Sequence, residues 1–459
     1  MMRRIWAVAI TTVRQALRMR IAVVFTVLLL VLLPVMAGSM SGDGTHKGRC
    51  QTFVSYGLSL TSLLLCLLTI VVSVFTVTSD IRNHQIFTVI TKPLRRHEFI
   101  LGKLLGVLVL DALLLTFFCG GIYGIVRYLP THYGADPIAR QQLNREFFTA
   151  RASLKPMNPD VTAEARETFE KLRKQDEIPP EVFANELRRR QVMDWIIKQK
   201  RLEKRAAGVG ERILWEFHNV RPVDPTENLF IRFKYDALPG SKTEMWGRWA
   251  VGPYDVFAYG AKPDRPIYDQ VLRHSAGNFH EIQIPAVVVP ADGHIALGFQ
   301  NVPPNDTAIV FPLDDGVELL YQADTFGANF VRAAVMIFVR LVFLACLGIL
   351  ASTFVSFPVA IMFCLVIFFV ATFSTFVVDS FNYLGDSIGG VYNYTVKPIV
   401  RMLPEFDKFN PAQYLVPARL IDLSVLAKAA GRMIGVEAPI LLLLAIWIFS
   451  RRELARVTV

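Results

Sequence analysis

Long apolar runs alternate with polar stretches along the chain, at residues 21–40, 56–78, 104–126, 333–354, 359–378 and 433–449. Each comes close to the roughly 20 residues that an α-helix needs to cross about 30 Å of hydrocarbon. The pattern predicts six transmembrane helices, the last being the shortest. Residues 1–20 have a different period. Ile5, Trp6, Ala9, Ile10, Val13, Ala16 and Leu17 recur at helical spacing, with Arg3, Arg4, Arg14 and Arg18 between them. That spacing predicts an amphipathic helix at the membrane–water interface.

The third and fourth runs are separated by residues 128–331, and here the period changes twice. Residues 128–210 are charged and helix-forming, with Asp160 or Thr162 placed to cap one helix and Pro179-Pro180 to open another. From residue 211 the apolar positions alternate. Ile213, Trp215 and Phe217 do so, as do Leu229, Ile231 and Phe233, then Ile295, Leu297 and Phe299, then Val317, Leu319 and Tyr321. Turn signals such as Asp292-Gly293 and Asp315-Gly316 separate them, and a β-sandwich over 211–330 is expected. Residues 380–430 mix aromatics, prolines and charges, a pattern for short helices on or dipping into the membrane surface. The expected fold is therefore a six-helix membrane protein with a helical hairpin and a β-sandwich between helices 3 and 4.

Composition supports a membrane class. The 459-residue chain is 53% hydrophobic, with a mean hydropathy of +0.39. Its net charge is +10. The basic residues are spread over several regions, which fits contact with lipid headgroups and not a nucleic-acid surface. Arginines before residue 21 and after residue 450 put both termini in the cytoplasm of a cell bounded by an inner membrane. Residues 128–331 then lie outside. The first apolar run is too long for a signal-peptide core and reads as a retained anchor. Five cysteines are too few and too scattered for a disulfide framework. Four sit in apolar runs, and Cys50 stands in the first outer loop as a free thiol or an intermolecular bridge.

Catalytic chemistry is hard to find. There is no P-loop, CxxC, HExxH or GxSxG pattern. His274, His280 and His294 fit no familiar zinc spacing, and no metal or cofactor is expected in this chain. Trp246, Trp249, Tyr254 and Tyr259 fall in a Gly-rich stretch, either as sandwich core or as a ligand surface. Three charges fall inside apolar runs: Asp111, Arg340 and Glu437. Each is expensive in lipid. Asp111 and Arg340 are candidates for an ion pair, while Glu437 is placed to snorkel to the interface.

The most informative stretch is SDIRNHQIFTVITKPLRRHEFILGKLLG, residues 79–106. Its basic residues Arg82, Lys92, Arg95, Arg96 and Lys103 against Asp80 and Glu98 mark a cytoplasmic loop. It resembles the coupling region of type 2 ABC transporter permeases. There an acidic residue and a short helix follow the second span, then T-K-P-x-x-R and G-K-x-x-G motifs lead into the third. The matching residues are Asp80, Thr91, Lys92, Pro93, Arg96, Gly102, Lys103 and Gly106. The N-terminal helix, LPEFDKFNPAQYLV (403–416) and IFSRREL (448–454) are also similar to that family, whereas the 128–331 insert is a departure. The resemblance implies an ABC ATPase subunit that docks on 79–104 and carries the ATP and Mg. It also implies a second permease copy or paralogue, and coupling of ATP hydrolysis to export or extraction of a substrate. The alternatives are a mechanotransmitting subunit that acts on an envelope partner without transport, and a membrane-anchored sugar-binding or sensor protein.

Overall fold

A computed structural model of the chain describes residues 2–40, 42–82, 95–175, 186–222, 228–237, 244–382, 398, 400 and 402–451. The chain divides into two units. One comprises residues 1–150 and 325–459, the other residues 151–324.

The first unit is helical. Five of its described helices are long and apolar enough to cross a membrane. They are α2 (Arg20–Ser39), α3 (His46–Arg82), α4 (Arg96–His132), α9 (Phe326–Phe354) and the terminal helix Leu423–Arg451. The last is built from α13 (Leu423–Arg432), a π-helical turn (Met433–Glu437) and α14 (Ala438–Arg451). The fifth apolar run forms only the 16-residue α10 (Phe357–Thr372), which ends at Phe373 before α11 (Ser374–Asn382). At 1.5 Å per residue α10 is about 24 Å long. Ser356 and Pro358 set the break between α9 and α10, with Ser356 in extended conformation at the N-cap.

α9 and α3 are the most enclosed of these helices, whereas α2 and the terminal helix leave most of their apolar surface uncovered. Val23, Val24, Val27, Leu30 and Val31 of α2 are exposed, and so are Ile440, Leu443 and Trp447 of α14. Apolar surface this extensive belongs in lipid and not in water, so the chain is a membrane protein. Inside the unit, small residues bring helices close. A Cβ on Gly348 of α9 would lie 1.9 Å from Ser73 Oγ of α3, a contact of the kind that packs membrane helices.

Several boundaries differ from those expected. α3 begins ten residues before its apolar run and includes Cys50, which is buried and free like the other four cysteines. It is therefore not in a loop. α4 continues to His132, and α5 (Pro137–Glu146) still belongs to the helical unit. Lys47 Nζ holds Glu146 there at 2.7 Å, and Leu143 and Phe147 join the helical core.

The second unit holds a helical pair and antiparallel sheets. α6 (Thr162–Lys174) and α7 (Glu186–Glu203) pack through Ala165, Phe169 and Ile196. Neither Asp160 nor Thr162 takes the cap position of α6, which falls to Val161 without a side-chain cap. Asp160 Oδ1 instead accepts from Thr162 N at 3.0 Å, one residue before the cap. Pro179-Pro180 lies outside the described residues. One four-stranded sheet has the order β1-β11-β4-β8 and another the order β3-β9-β6-β7. The first contains β1 (Thr149–Leu154), β4 (Asn228–Phe233), β8 (His280–Pro285) and β11 (Val317–Thr325). The second contains β3 (Arg212–Phe217), β6 (Glu244–Pro253), β7 (Tyr268–Ser275) and β9 (Ile295–Asn301). A small third sheet joins β2 (Ala206–Ala207), β5 (Asp236–Ala237) and β10 (Ile309–Val310).

Both large sheets feed one core. Ile213, Trp215 and Phe217 of β3 enter it with Leu229, Ile231 and Phe233 of β4 and Leu319 and Tyr321 of β11. Period-two alternation lets β3 bury one face, whereas β4 and β11 have buried residues on both, at Leu229–Ile231 and Val317–Tyr321. β1 falls in a stretch expected to be helical. Its partner β11 supplies the free edge that draws the segment TARASL into a strand, a tertiary effect that local propensity does not contain.

Candidate functional site

Helices α1 (Met2–Leu17), α3 and α4 meet beside the 79–106 stretch. α1 does not merely lie along an interface. Its Ala9, Thr12 and Ala16 are buried within the chain, and α4 meets it at two glycines. A Cβ on Gly102 would lie 2.5 Å from Val8 Cβ and 3.0 Å from Ile5 O. One on Gly106 would lie 2.6 Å from Thr12 Cβ and 2.8 Å from Ala9 O. Only glycine permits this backbone approach. Trp6, Ile10 and Leu17, also in the apolar stripe of the sequence, remain exposed and free to meet lipid.

A closed polar ring joins the same three helices. Lys103 Nζ of α4 pairs with Asp80 Oδ2 of α3 at 2.6 Å. Gln15 of α1 completes the ring, its Nε2 donating to Asp80 Oδ1 at 3.3 Å and its Oε1 accepting from Lys103 at 3.1 Å. Lys103 and Asp80 are both buried. A buried pair of this kind is held by its extra hydrogen bonds, and removal of one partner strands a charge.

The start of α4 is secured separately. Glu98 accepts from Arg95 N at 3.0 Å, satisfying a helix N-terminal donor. Arg4 of α1 stands 3.8 Å from the same carboxylate. Arg96 donates to the carbonyls of Phe449 at 2.9 Å and Ser450 at 2.7 Å, at the C-terminus of α14. There its charge also meets the negative end of the helix dipole. One turn on, Phe99 stacks on Phe449 with centroids 5.7 Å apart. Arg82 and Arg95, on either side of 83–94, are exposed. Thr91, Lys92 and Pro93 lie outside the described residues.

The charges within apolar runs have different partners from those expected. Asp111 and Arg340 form no ion pair among the described residues. Arg340 donates from Nη2 to the carbonyls of Phe406, at 2.6 Å, and Phe409. Its guanidinium is thus committed to the irregular segment 403–421. That segment is also held by Asn329, which accepts from Ile421 N at 2.8 Å and donates to Arg419 O at 2.7 Å. Asp111 is fully buried with neither carboxylate oxygen hydrogen-bonded, and the nearby Thr69 donates to Leu65 O instead. Glu437 does not simply snorkel. It sits in the π-helical turn and accepts from Arg432 Nε at 3.0 Å. Arg432 also reaches Leu403 O at 2.7 Å and Glu405 at 3.3 Å. Lys408, with Arg432 behind it, holds the Glu405 carboxyl below the usual carboxylate range.

The four aromatics of the sheet unit divide between core and surface. Trp249 is core, with Phe233 and Phe299 centroids at 4.3 and 4.8 Å. Trp246 lies on the other face of β6, where Asn305 hydrogen-bonds both its N and its O. Tyr254 stacks on His294 at 4.4 Å and Tyr259 stands beside it, exposed. They do not form one ligand surface.

The histidines separate too. His274 contacts His280, centroids 4.7 Å apart. Burial, with His280 adding to it, pushes the His274 imidazole down to about 4. His294 instead joins Glu216 and His218 in a cluster of metal-ligand type. His218 and Glu216 escape motif reading because their spacing is only that of one strand face. No model of a known protein family matches the chain, and no match is found among curated proteins.

Proposed function

We propose that this chain is the membrane-spanning permease subunit of an ABC transporter, powered by a separate ATPase. One observation carries the reading: the ring of Gln15, Asp80 and Lys103, which ties together α1 and the two helices that flank residues 83–94. A push on residues 83–94 has a stiff route into the helices. The ion pair resists separation of α3 from α4, and the Gly102–Gly106 seam carries α1 with them. In this reading α10 is the fifth of six spans, both termini are cytoplasmic and residues 128–331 face outside. Arg82, Arg95 and the residues between them meet the ATPase, which binds ATP and Mg. Two permease subunits complete the assembly, and substrate is exported or extracted by way of the outer unit.

The full-length chain, purified in mild detergent from its own membranes, is expected to bring a P-loop ATPase with it. ATP hydrolysis by that complex should drop at least tenfold with Lys103→Met while the complex still assembles. Recovery of no nucleotide-binding protein, or unchanged hydrolysis in the variant, contradicts the reading. ATP-dependent movement of substrate in liposomes distinguishes transport from force transmission to an envelope partner.

A further inference from the structure

The end of β3 and the turn before β9 build a second site, in the sheet unit. Strand alternation sends Phe217 into the core and places Glu216 and His218 together on the opposite face. Phe217 pairs with Ile295, so the same register sets His294 across from His218. The backbone around His294 is fixed by a tight turn. Gly293 has φ of 72°, and a Cβ there would lie 2.8 Å from Val220 O. Gly293 O accepts from Val220 N at 3.0 Å. Asp292 Oδ1 accepts from His294 N at 3.1 Å, and His294 O accepts from Tyr254 N at 3.3 Å.

Three ligand atoms converge as a result. Glu216 Oε1 lies 2.6 Å from His294 Nε2 and 2.9 Å from His218 Nε2. One atom from each residue falls within 4.8 Å of the others. The two imidazoles stack at 4.3 Å, and Tyr254 stacks on His294 at 4.4 Å. Two imidazoles and a carboxylate are a zinc(II) donor set, with bonds of about 2.0–2.2 Å. At those lengths tetrahedral ligands stand roughly 3.3 Å apart, so Glu216 Oε1 needs to draw back from each imidazole nitrogen by less than about 1 Å. Side chains that are 54% and 38% exposed at His218 and Glu216 can do so.

We propose that Glu216, His218 and His294 form a zinc(II) site that clamps the end of β3 to the β9 turn. The partial exposure of its ligands leaves a coordination position for water or an incoming donor. This inference stands independently of the transport reading.

The test uses the untagged full-length chain in detergent, stripped with EDTA and titrated with zinc chloride. One zinc per chain is expected to survive gel filtration, together with a rise in thermal midpoint. His218→Ala and Glu216→Gln should each weaken zinc binding at least tenfold. Cobalt(II) in place of zinc should give the visible absorption of a four-coordinate site, and the same variants should abolish it. If His218→Ala disturbs the tryptophan spectrum, Glu216→Gln, which keeps the side-chain shape, carries the comparison. No zinc retention, or retention unchanged in the variants, overturns the proposal and leaves a carboxylate bridging two imidazoles.

Discussion

Lys103 and Asp80 are 23 residues apart in sequence, yet their charges meet at 2.6 Å in the interior. Removing one partner of such a pair typically costs about 3–5 kcal/mol, while replacing both is far milder. Lys103→Met is therefore expected to lower the thermal midpoint of the purified chain strongly, and Asp80→Asn/Lys103→Met to restore part of it. A double variant no more stable than the worse single would show that the pair does not act as a unit. Both residues stood out in the sequence because they flank a basic stretch between apolar runs. Gln15 did not, since a glutamine on an arginine-rich helix gives no signal. Gly102 and Gly106 were legible only as letters of a motif, and their physical role, the approach of α1, needs the packing. Glu216 and His218 show the reverse limit. Alternation places them on one face, but only the register with β9 adds His294.

Elements were most legible where one period ran long. The apolar runs gave the cores of α2, α3, α4 and α9, and the alternating positions gave β3, β4, β9 and β11. Ends were less so, because polar residues extend α3 and α4 beyond their apolar stretches. The segment 403–421 had no period to read. It is ordered by donors from elsewhere, above all Arg340. Arg340→Leu leaves the carbonyls of Phe406, in a buried setting, and Phe409, in a partly buried one, without that donor, at about 1–3 kcal/mol for the buried one. Amide exchange over residues 403–416 should then quicken at least several-fold, with exchange in β6 and β9 unchanged. An unaltered rate over 403–416 would show that Arg340 does not hold the segment.

At the scale of the molecule, the membrane class rests on uncovered apolar helices and the sheet unit on its own core. The division at residues 151 and 324 was blurred in the sequence, since α5 and β1 fall in one charged stretch expected to be helical, while one joins the helices and the other the sheets. The transport reading rests on how residues 80–103 would receive force. Its most direct test is site-specific photo-crosslinking in native membranes, with a photoreactive residue at position 82 or 95 and, for comparison, at the exposed position 259. The account predicts ATPase adducts from 82 and 95 and none from 259. Adducts to the ATPase from 259, or to no nucleotide-binding protein from either 82 or 95, would contradict it.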